Sequence, residues 1–200
     1  MDLTTTRTHL HGVAELLMAG PQYRQSGTIR LRSVPGGFAT VAEPALAVDG
    51  ALLAGLRLSG TTFGELAAGL GLTGGAPDGL YADGSGLGLD DAVRVEEEAA
   101  FVIARGFALG DAAARLLAPG SEPVLWPEHF DLGITLDEVN YGVSAGDASC
   151  EEPYAYVGPW QPPKGTFWNV PFGAARPLSA LPGTEEVLAF FAEGRELLRR

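Results

Sequence analysis

The sequence predicts an α+β protein in which antiparallel strands of mixed length form one or more curved sheets packed around a long central helix, with further helices at the N- and C-termini. Two blocks, residues 27–58 and 123–157, alternate polar and apolar side chains as half-buried strands do. The stretch 96–118 between them has the apolar periodicity of a helix. A length of 200 residues with 46% hydrophobic residues predicts a single domain, residues 1–200.

The N-terminal helix is predicted over residues 7–19, where apolar residues repeat at helical spacing. Gly20 and Pro21 are expected to end it, because proline cannot continue the hydrogen-bond pattern of a helix. His9 and His11 lie near its start. They are two residues apart and point to different sides of a helix, so we expect both to be solvated surface residues.

Two hairpins are predicted in the first strand block. A Pro-Gly-Gly turn separates the first two segments, and Asp49-Gly50 favours a type I′ turn between the last two, because both central residues of that turn need positive φ. The four segments are 28–34, 38–41, 46–48 and 51–54.

A short helix is expected to begin after Thr61 or Thr62. The glycine-rich stretch 71–91 that follows is expected to be an ordered loop, and its aspartates argue against phosphate binding. In the long helix, Gly106 and Gly110 leave room for the close approach of another element.

The second block has the same antiparallel pattern. Its predicted strands are 129–136, 139–144 and 154–157. Residues 158–183 are rich in proline and aromatic residues and are expected to wrap the body as an ordered coil. Thr184 is the expected cap of a C-terminal helix.

The charge balance excludes two classes of partner. Thirteen basic and 25 acidic side chains give a formal net charge of −12. Nucleic-acid binding needs a basic face, and anionic membrane surfaces repel an acidic protein, so neither partner is expected. No apolar run approaches the length of a membrane span, and no signal peptide is recognised at the start. A single cysteine, Cys150, suits a reducing cytoplasm, and the abundance of Ala, Gly and Leu suits a GC-rich bacterial genome.

Residues with catalytic potential are concentrated between positions 126 and 160. On a strand, His129 and Asp131 point to the same side, so the carboxylate could orient the imidazole and raise its basicity. The sequence therefore predicts His129 and Asp131 as an acid–base pair. In the alternative, Phe130 and Leu132 occupy the core face, and the two polar residues only face water.

Around this pair we expect a pocket for a small molecule, because binding pockets combine apolar walls with a few convergent polar groups. The predicted ligand-binding residues are Trp126, Glu128, Tyr141, Asp147, Tyr154, Tyr156 and Trp160. The ligand is not identified by the sequence, and neither a cofactor nor an oligomeric state is indicated.

Two further alternatives stay open. One His with several carboxylates is chemically adequate for a divalent metal, although the spacing matches no metal motif. Its members would be Glu128, His129, Asp131, Asp147 and Glu152. In the other alternative the aromatic C-terminal coil is a protein-binding surface or a purely structural layer, and the protein is not an enzyme.

Four motifs carry a resemblance to known sequences: WPEHFDLGI, NYGVSAGDAS, EPYAYVGPW and FWNVPFGA. With them, nearly the whole chain resembles a family of uncharacterised actinobacterial proteins of about this length. The WP-E-H-FD, S-x-GD and EPY-x-Y elements also resemble a second bacterial family of unknown function, over the C-terminal part only. Neither resemblance implies an activity, a cofactor or a catalytic residue.

Overall fold

The computed structural model describes residues 1–81, 84–148 and 150–199, and it confirms the predicted α+β class with antiparallel strands. The helical elements are α1 (Leu3–Gly12), a π-helical segment (Val13–Ala19), α2 (Gly20–Ser26), α3 (Phe63–Gly69), α4 (Glu97–Leu117), a 3₁₀ helix (Leu178–Ala180) and α5 (Thr184–Leu197). The strands are β1 (Leu31–Val34), β2 (Gly37–Thr40), β3 (Ala47–Asp49), β4 (Leu52–Leu53), β5 (Leu56–Arg57), β6 (Val124–Trp126), β7 (Asp131–Leu136), β8 (Val139–Ser144), β9 (Tyr154–Pro159) and β10 (Ala174–Pro177).

The chain divides into two compact units. Unit 1 comprises Met1–Arg105 and Leu125–Phe130, and unit 2 comprises Gly106–Val124 and Asp131–Arg200. The long helix α4 begins in unit 1 and ends in unit 2. The single domain that the sequence predicts stays a prediction, because compact units are not in themselves separate domains. Among the described residues, no helix is long and apolar enough to cross a membrane.

Unit 1 contains the two predicted hairpins. Its strands follow the order β6-β1-β2-β3-β4-β5, and every described pair is antiparallel. Gly36 (φ 81°) and Gly50 (φ 54°) adopt positive φ in the two tight turns, which confirms where the hairpins turn. The type I′ prediction for Asp49-Gly50 was wrong: Asp49 is the last residue of β3 and pairs with Leu52, so the turn residues are Gly50 and Ala51, and only Gly50 has a positive φ. The π-helical segment packs against β2 and α3 and is buried throughout.

The N-terminal helix is longer than predicted. It starts at Leu3, where the Asp2 carboxylate caps the first turn, and it continues through Gly20-Pro21 to Ser26. The predicted stop was wrong because the helix tolerates the missing N–H of Pro21: the Leu16 carbonyl, which Pro21 cannot bond, accepts from the Gly75 N–H outside the helix. The π-helical segment directly before Pro21 shifts the hydrogen-bond pattern of the helix from i→i+4 to i→i+5.

Unit 2 is a four-stranded antiparallel sheet in the order β10-β9-β8-β7. One face carries the apolar core, together with side chains from the last turns of α4 and from α5. Gly110 allows the close approach that was predicted, since a Cβ there would lie 2.7 Å from Cγ2 of Val143. The predicted coil 158–183 contains a strand: Asn169 exchanges two hydrogen bonds with the backbone of Ala175, and β10 pairs with β9.

Helix α4 is less covered in unit 1 than its apolar pattern predicts. Phe101 is 45% and Val102 is 37% exposed, although Ala99 and Ile103 are buried. Ala99 and Ile103 lie one helical turn apart on the buried side, as expected for a helix that is covered on one face only.

Candidate functional site

The structure distributes the sequence-predicted site residues over both units. Trp126, Glu128 and His129 belong to unit 1. The other six belong to unit 2: Asp131, Tyr141, Asp147, Tyr154, Tyr156 and Trp160. Each unit is described separately below.

His129 does not lie on a strand. Strand β7 begins at Asp131, and residues 127–130 form a turn in which Phe130 has a positive φ of 51°. Side chains alternate only within a strand, so His129 and Asp131 are not placed on one side by the alternation that the sequence predicts. The His129 side chain is 62% exposed, and its Nε2 lies 3.5 Å from Oε1 of Glu128.

Among the acids of unit 1 that the structure describes, the most buried is Glu15, which is only 5% exposed and lies in the π-helical segment. Its Oε2 accepts hydrogen bonds from the Ser85 backbone N–H (3.0 Å) and from the Ser85 hydroxyl (2.7 Å). The backbone of Gly84 packs so closely on the other oxygen that a Cβ there would collide with it. A buried carboxylate needs such donors, since an unpaired buried charge is very costly.

The loop that supplies these donors is tied to the same helix at a second point. The Gly20 N–H bonds to the Glu15 carbonyl in the π-helical pattern, and Pro21 has no N–H for the Leu16 carbonyl, which instead accepts a hydrogen bond of 2.9 Å from the Gly75 N–H. The Arg24 guanidinium donates to the carbonyls of Thr73, Gly75 and Ala76. The described parts of the glycine-rich stretch 71–91 are thus anchored along the helix.

Tyr81 brings a phenol to the same carboxylate. Its hydroxyl is buried beside Glu15, but no described residue meets ordinary hydrogen-bond geometry with it. Burial and the neighbouring Glu15 charge raise the pKa of Tyr81 well above its usual value. The phenol therefore stays protonated and can donate a hydrogen bond.

His11 lies one helical turn before Glu15. Its Nε2 is 2.7 Å from the Pro127 carbonyl oxygen, and its ring stacks on Phe130 with centroids 5.5 Å apart. A bond to a carbonyl requires the proton on Nε2, so Nδ1 is the acceptor in the neutral ring. Burial lowers the pKa of His11, and the Glu15 charge only partly opposes this. The imidazole is therefore neutral near pH 7.

We call His11, Glu15, Tyr81 and Ser85 the Glu15 centre. The expectation that His9 and His11 are solvated is wrong: His9 is 8% exposed and stacks on Phe63, and His11 is partly buried.

The three predicted residues of unit 1 lie near this centre in different ways. Glu128 and His129 follow Pro127, whose carbonyl accepts from His11. The Glu128 charge raises the pKa of Tyr81, and the His129 charge lowers the pKa of His11. The ring of Trp126 is half-buried, and the Arg30 guanidinium lies 5.8 Å from its centroid.

In unit 2 the structure forms two tyrosine–carboxylate pairs from the predicted residues. The Tyr156 hydroxyl donates to Oδ2 of Asp131, and the Tyr154 hydroxyl donates to Oδ2 of Asp147 at 2.5 Å. The two rings meet edge to face at 6.5 Å, and Phe172 lies against both. Burial first, and the carboxylates second, raise the pKa of each tyrosine, so both phenols remain protonated donors.

These pairs lie on the sheet face opposite the core. Asp131, Ser144 and Tyr154 occupy one register row, and Tyr156 pairs with Gly142 in the next. A Cβ on Gly142 would lie 2.6 Å from the Tyr156 hydroxyl, so glycine is needed for the ring to lie flat on the sheet.

Two predicted pocket residues lie apart from these pairs. Tyr141 is 1% exposed in the apolar core, where its ring meets Phe191 edge to face at 5.9 Å. It projects from the other face of the sheet, as the register requires of a residue next to Gly142. Trp160 is 65% exposed and follows strand β9.

Sequence reasoning missed the Glu15 centre. One signal was present: Glu15 is the single charged residue in the otherwise apolar run 12–20, and a charge on the buried side of a helix needs a partner. Its partners Tyr81 and Ser85 lie about 70 residues away and have no spacing signal.

Metal ligation finds no support within the described ranges, because no group of three His, Cys, Asp or Glu side chains there could hold an ion. Comparison with protein-family models, with curated proteins and with solved structures finds no match to this chain.

Proposed function

We propose that the protein binds a small molecule at the Glu15 centre, beside residues 126–130, and that Glu15 and Tyr81 supply acid–base chemistry there. The observation that carries the proposal is a buried carboxylate facing a buried phenol that no described residue satisfies. Unsatisfied buried polar groups are rare in proteins and are concentrated where a ligand completes the hydrogen bonding. The π-helical segment adds support, since such segments are frequent at functional sites.

The chemistry of the two groups defines the ligand. Both hydrogen bonds from Ser85 fall on Oε2 of Glu15, so Oε1, against which Gly84 packs, is the oxygen left to accept from a ligand. Tyr81 is the protonated donor. A ligand that donates to Glu15 and accepts from Tyr81 carries both functions on adjacent atoms, as a carboxylic acid, a primary amide or a hydroxy-carbonyl compound does.

Acid–base chemistry follows from the same pairing. A carboxylate can accept a proton from such a ligand while a neutral phenol donates a hydrogen bond to the oxygen on which charge develops. His11 then has a positioning role, because its Nε2–H is used by the Pro127 carbonyl. His129 and Asp131, the predicted acid–base pair, lie in different units, and neither is part of this centre.

A thermal-shift screen against carboxylic acids, amides and hydroxy-carbonyl compounds tests the proposal. A ligand at about 100 times its Kd adds about 2.7 kcal/mol, which raises Tm by roughly 5–10 °C in a chain of this size. The same compounds should lose their effect on Glu15→Gln and Tyr81→Phe. Tyr23→Phe is the matched control, because it removes a phenol hydroxyl from α2 in the same unit.

Two outcomes would reject this function. One is a ligand that stabilises both Glu15→Gln and Tyr81→Phe as much as the wild type. The other is a screen in which no compound shifts Tm, while Tyr81→Phe raises the free energy of unfolding of the ligand-free protein. That result would show that Glu15 has only a structural role and that the unsatisfied Tyr81 hydroxyl destabilises the folded state.

A second candidate function, protein interaction through the aromatic coil, is favoured by one observation. Trp160 is 65% and Phe172 is 38% exposed, and exposed aromatic residues are enriched at interfaces. If this surface binds a second copy, sedimentation equilibrium should show a dimer that Trp160→Ser dissociates. Leu116→Ser, at an apolar residue that is 58% exposed, is the control and should leave the dimer intact. A monomeric wild type would contradict this candidate.

A further inference from the structure

Unit 1 contains a cleft lined by other residues than those of the Glu15 centre. Its volume is about 640 Å³, which is within the usual range for small-molecule sites of ~300–1,000 Å³. Three segments line it: the first turn of α1, the residues that lead into α3, and the residues that precede α4. None of the four residues of the Glu15 centre is among the described lining residues.

The carboxylates of the cleft are held in place by the protein. Oδ1 of Asp2 accepts the Thr5 N–H at 2.9 Å, and Oε2 of Glu96 accepts the Asp2 N–H at 2.8 Å. Oε2 of Glu65 accepts the hydroxyl of Thr61 at 2.6 Å as part of the α3 cap. The hydrogen bonds that described residues donate to each of these groups fall on one oxygen, and the Met1 ammonium lies 3.8 Å from that same oxygen of Glu96. The other oxygen of each carboxylate is left to accept from a ligand.

Arg94 is the cation among the described lining residues. Its guanidinium makes no hydrogen bond and no ion pair with any residue in the described ranges, although three carboxylates line the same cleft. A guanidinium fork matches a carboxylate in two parallel hydrogen bonds, and here that capacity is unused.

From this arrangement we infer that the cleft binds a small zwitterion, an α-amino acid or a molecule of the same charge pattern. Its carboxylate would bind Arg94, and its ammonium would bind the open carboxylate oxygens of Asp2 and Glu96. A simple anion would be repelled by three carboxylates, and a simple cation by the guanidinium. A molecule that carries both charges satisfies both kinds of group at once.

His9 provides an independent reporter. It follows Asp2, Thr5 and Thr6 on one face of α1, and its buried Nδ1 has no partner in the described part of the chain. Burial lowers the pKa of His9, and the Arg94 charge lowers it further. A bound carboxylate offsets the Arg94 charge, so the pKa of His9 should rise when the zwitterion binds.

Calorimetric titration with glycine and with larger neutral amino acids tests the inference. At least one should bind saturably with a Kd below about 10 mM, and acetate or methylammonium, which carry one charge each, should bind at least about tenfold more weakly. Arg94→Gln should weaken binding by at least about tenfold. Arg57→Gln is the matched control, because it removes an exposed guanidinium elsewhere in unit 1, and it should bind like the wild type.

The expected NMR result is an upward shift of the His9 pKa on saturation, seen in wild type and absent in Arg94→Gln. Failure of every amino acid to bind, or binding that Arg94→Gln leaves unchanged, overturns the inference. Glu15→Gln should bind the zwitterion normally, so a failure here and a failure of the function proposed for the Glu15 centre are distinguishable.

Discussion

At the scale of single residues, this protein shows two ways of placing a carboxylate next to a phenol. Asp131 and Asp147 accept directly from Tyr156 and Tyr154, on a sheet face that the strand alternation could indicate in advance. Glu15 instead accepts its hydrogen bonds from Ser85, and the Tyr81 hydroxyl lies beside it outside ordinary hydrogen-bond geometry. Asp131 lies on β7 and Tyr156 on β9, with β8 between them, and Asp147 lies in the loop between β8 and β9. Strand alternation therefore indicates the shared sheet face but not these pairings, and it has no information about the Glu15 arrangement.

The buried phenols give a pH prediction. The pKa is raised at Tyr81, Tyr141, Tyr154 and Tyr156, four of the five tyrosines. The folded state therefore keeps protons that the unfolded chain loses above pH ~10, so this contribution is complete below that pH and stability falls as the pH rises further. Absorbance titration of the folded protein should show these four phenols ionising above pH 10.

In urea, all five phenols should ionise together near the ordinary value of about 10. Full ionisation near pH 10 while circular dichroism stays native would show that the phenols are not protected by burial.

At the scale of elements, the sequence pattern predicted a helix contact correctly but misplaced a helix end. Gly110 was identified as a point of close approach from its small size on an apolar stripe, and Val143 of strand β8 lies there. The end of the N-terminal helix was misplaced, because the effect of Pro21 depends on the helical register before it. The π-helical turn that sets this register is stabilised by tertiary contacts, including the bond from Gly75 to Leu16.

A pair of glycine substitutions tests the packing of helices. Gly110→Ala gains about 1 kcal/mol of helix propensity, but its Cβ meets the buried, β-branched Val143, and overpacking costs about 1–3 kcal/mol. We expect a net loss of stability. Gly69→Ala in α3 is the control: its nearest atom is 3.7 Å away, an ordinary contact, so it should gain stability. Urea denaturation measures both.

A second substitution makes the test specific to the contact. In a Val143→Ala background the cost of Gly110→Ala should shrink, because the opposing methyl groups are gone. An unchanged cost in that background would assign the loss to the helix backbone instead of to this contact.

At the scale of the whole molecule, charge dominates behaviour in solution. The net charge of −12 is spread over a chain with 25 acidic side chains, and the isoelectric point is about 4.6. Like-charged molecules repel, which keeps them dispersed, and this repulsion vanishes at the isoelectric point.

Solubility should therefore fall steeply between pH 7 and pH 4.6, with light scattering as the measurement. At pH 7 and low salt, fluorescence anisotropy with duplex DNA should show no binding, because no counterions would be released by an acidic surface. Salt-dependent binding to DNA would reveal a local basic surface that the overall charge conceals.

The amino-acid sequence by itself determined the class of fold, the antiparallel hairpins of the first strand block, the close approach at Gly110 and the acidic character. These features depend on short-range periodicity, on residues that permit positive φ and on composition. Tertiary structure alone decided that His129 lies in a turn, that Tyr141 belongs to the core, and that Glu15 meets Tyr81 and Ser85. The contacts of Glu15 join segments about 70 residues apart, and the cleft beside Arg94 is lined by three separate segments, so no local sequence pattern encodes either site.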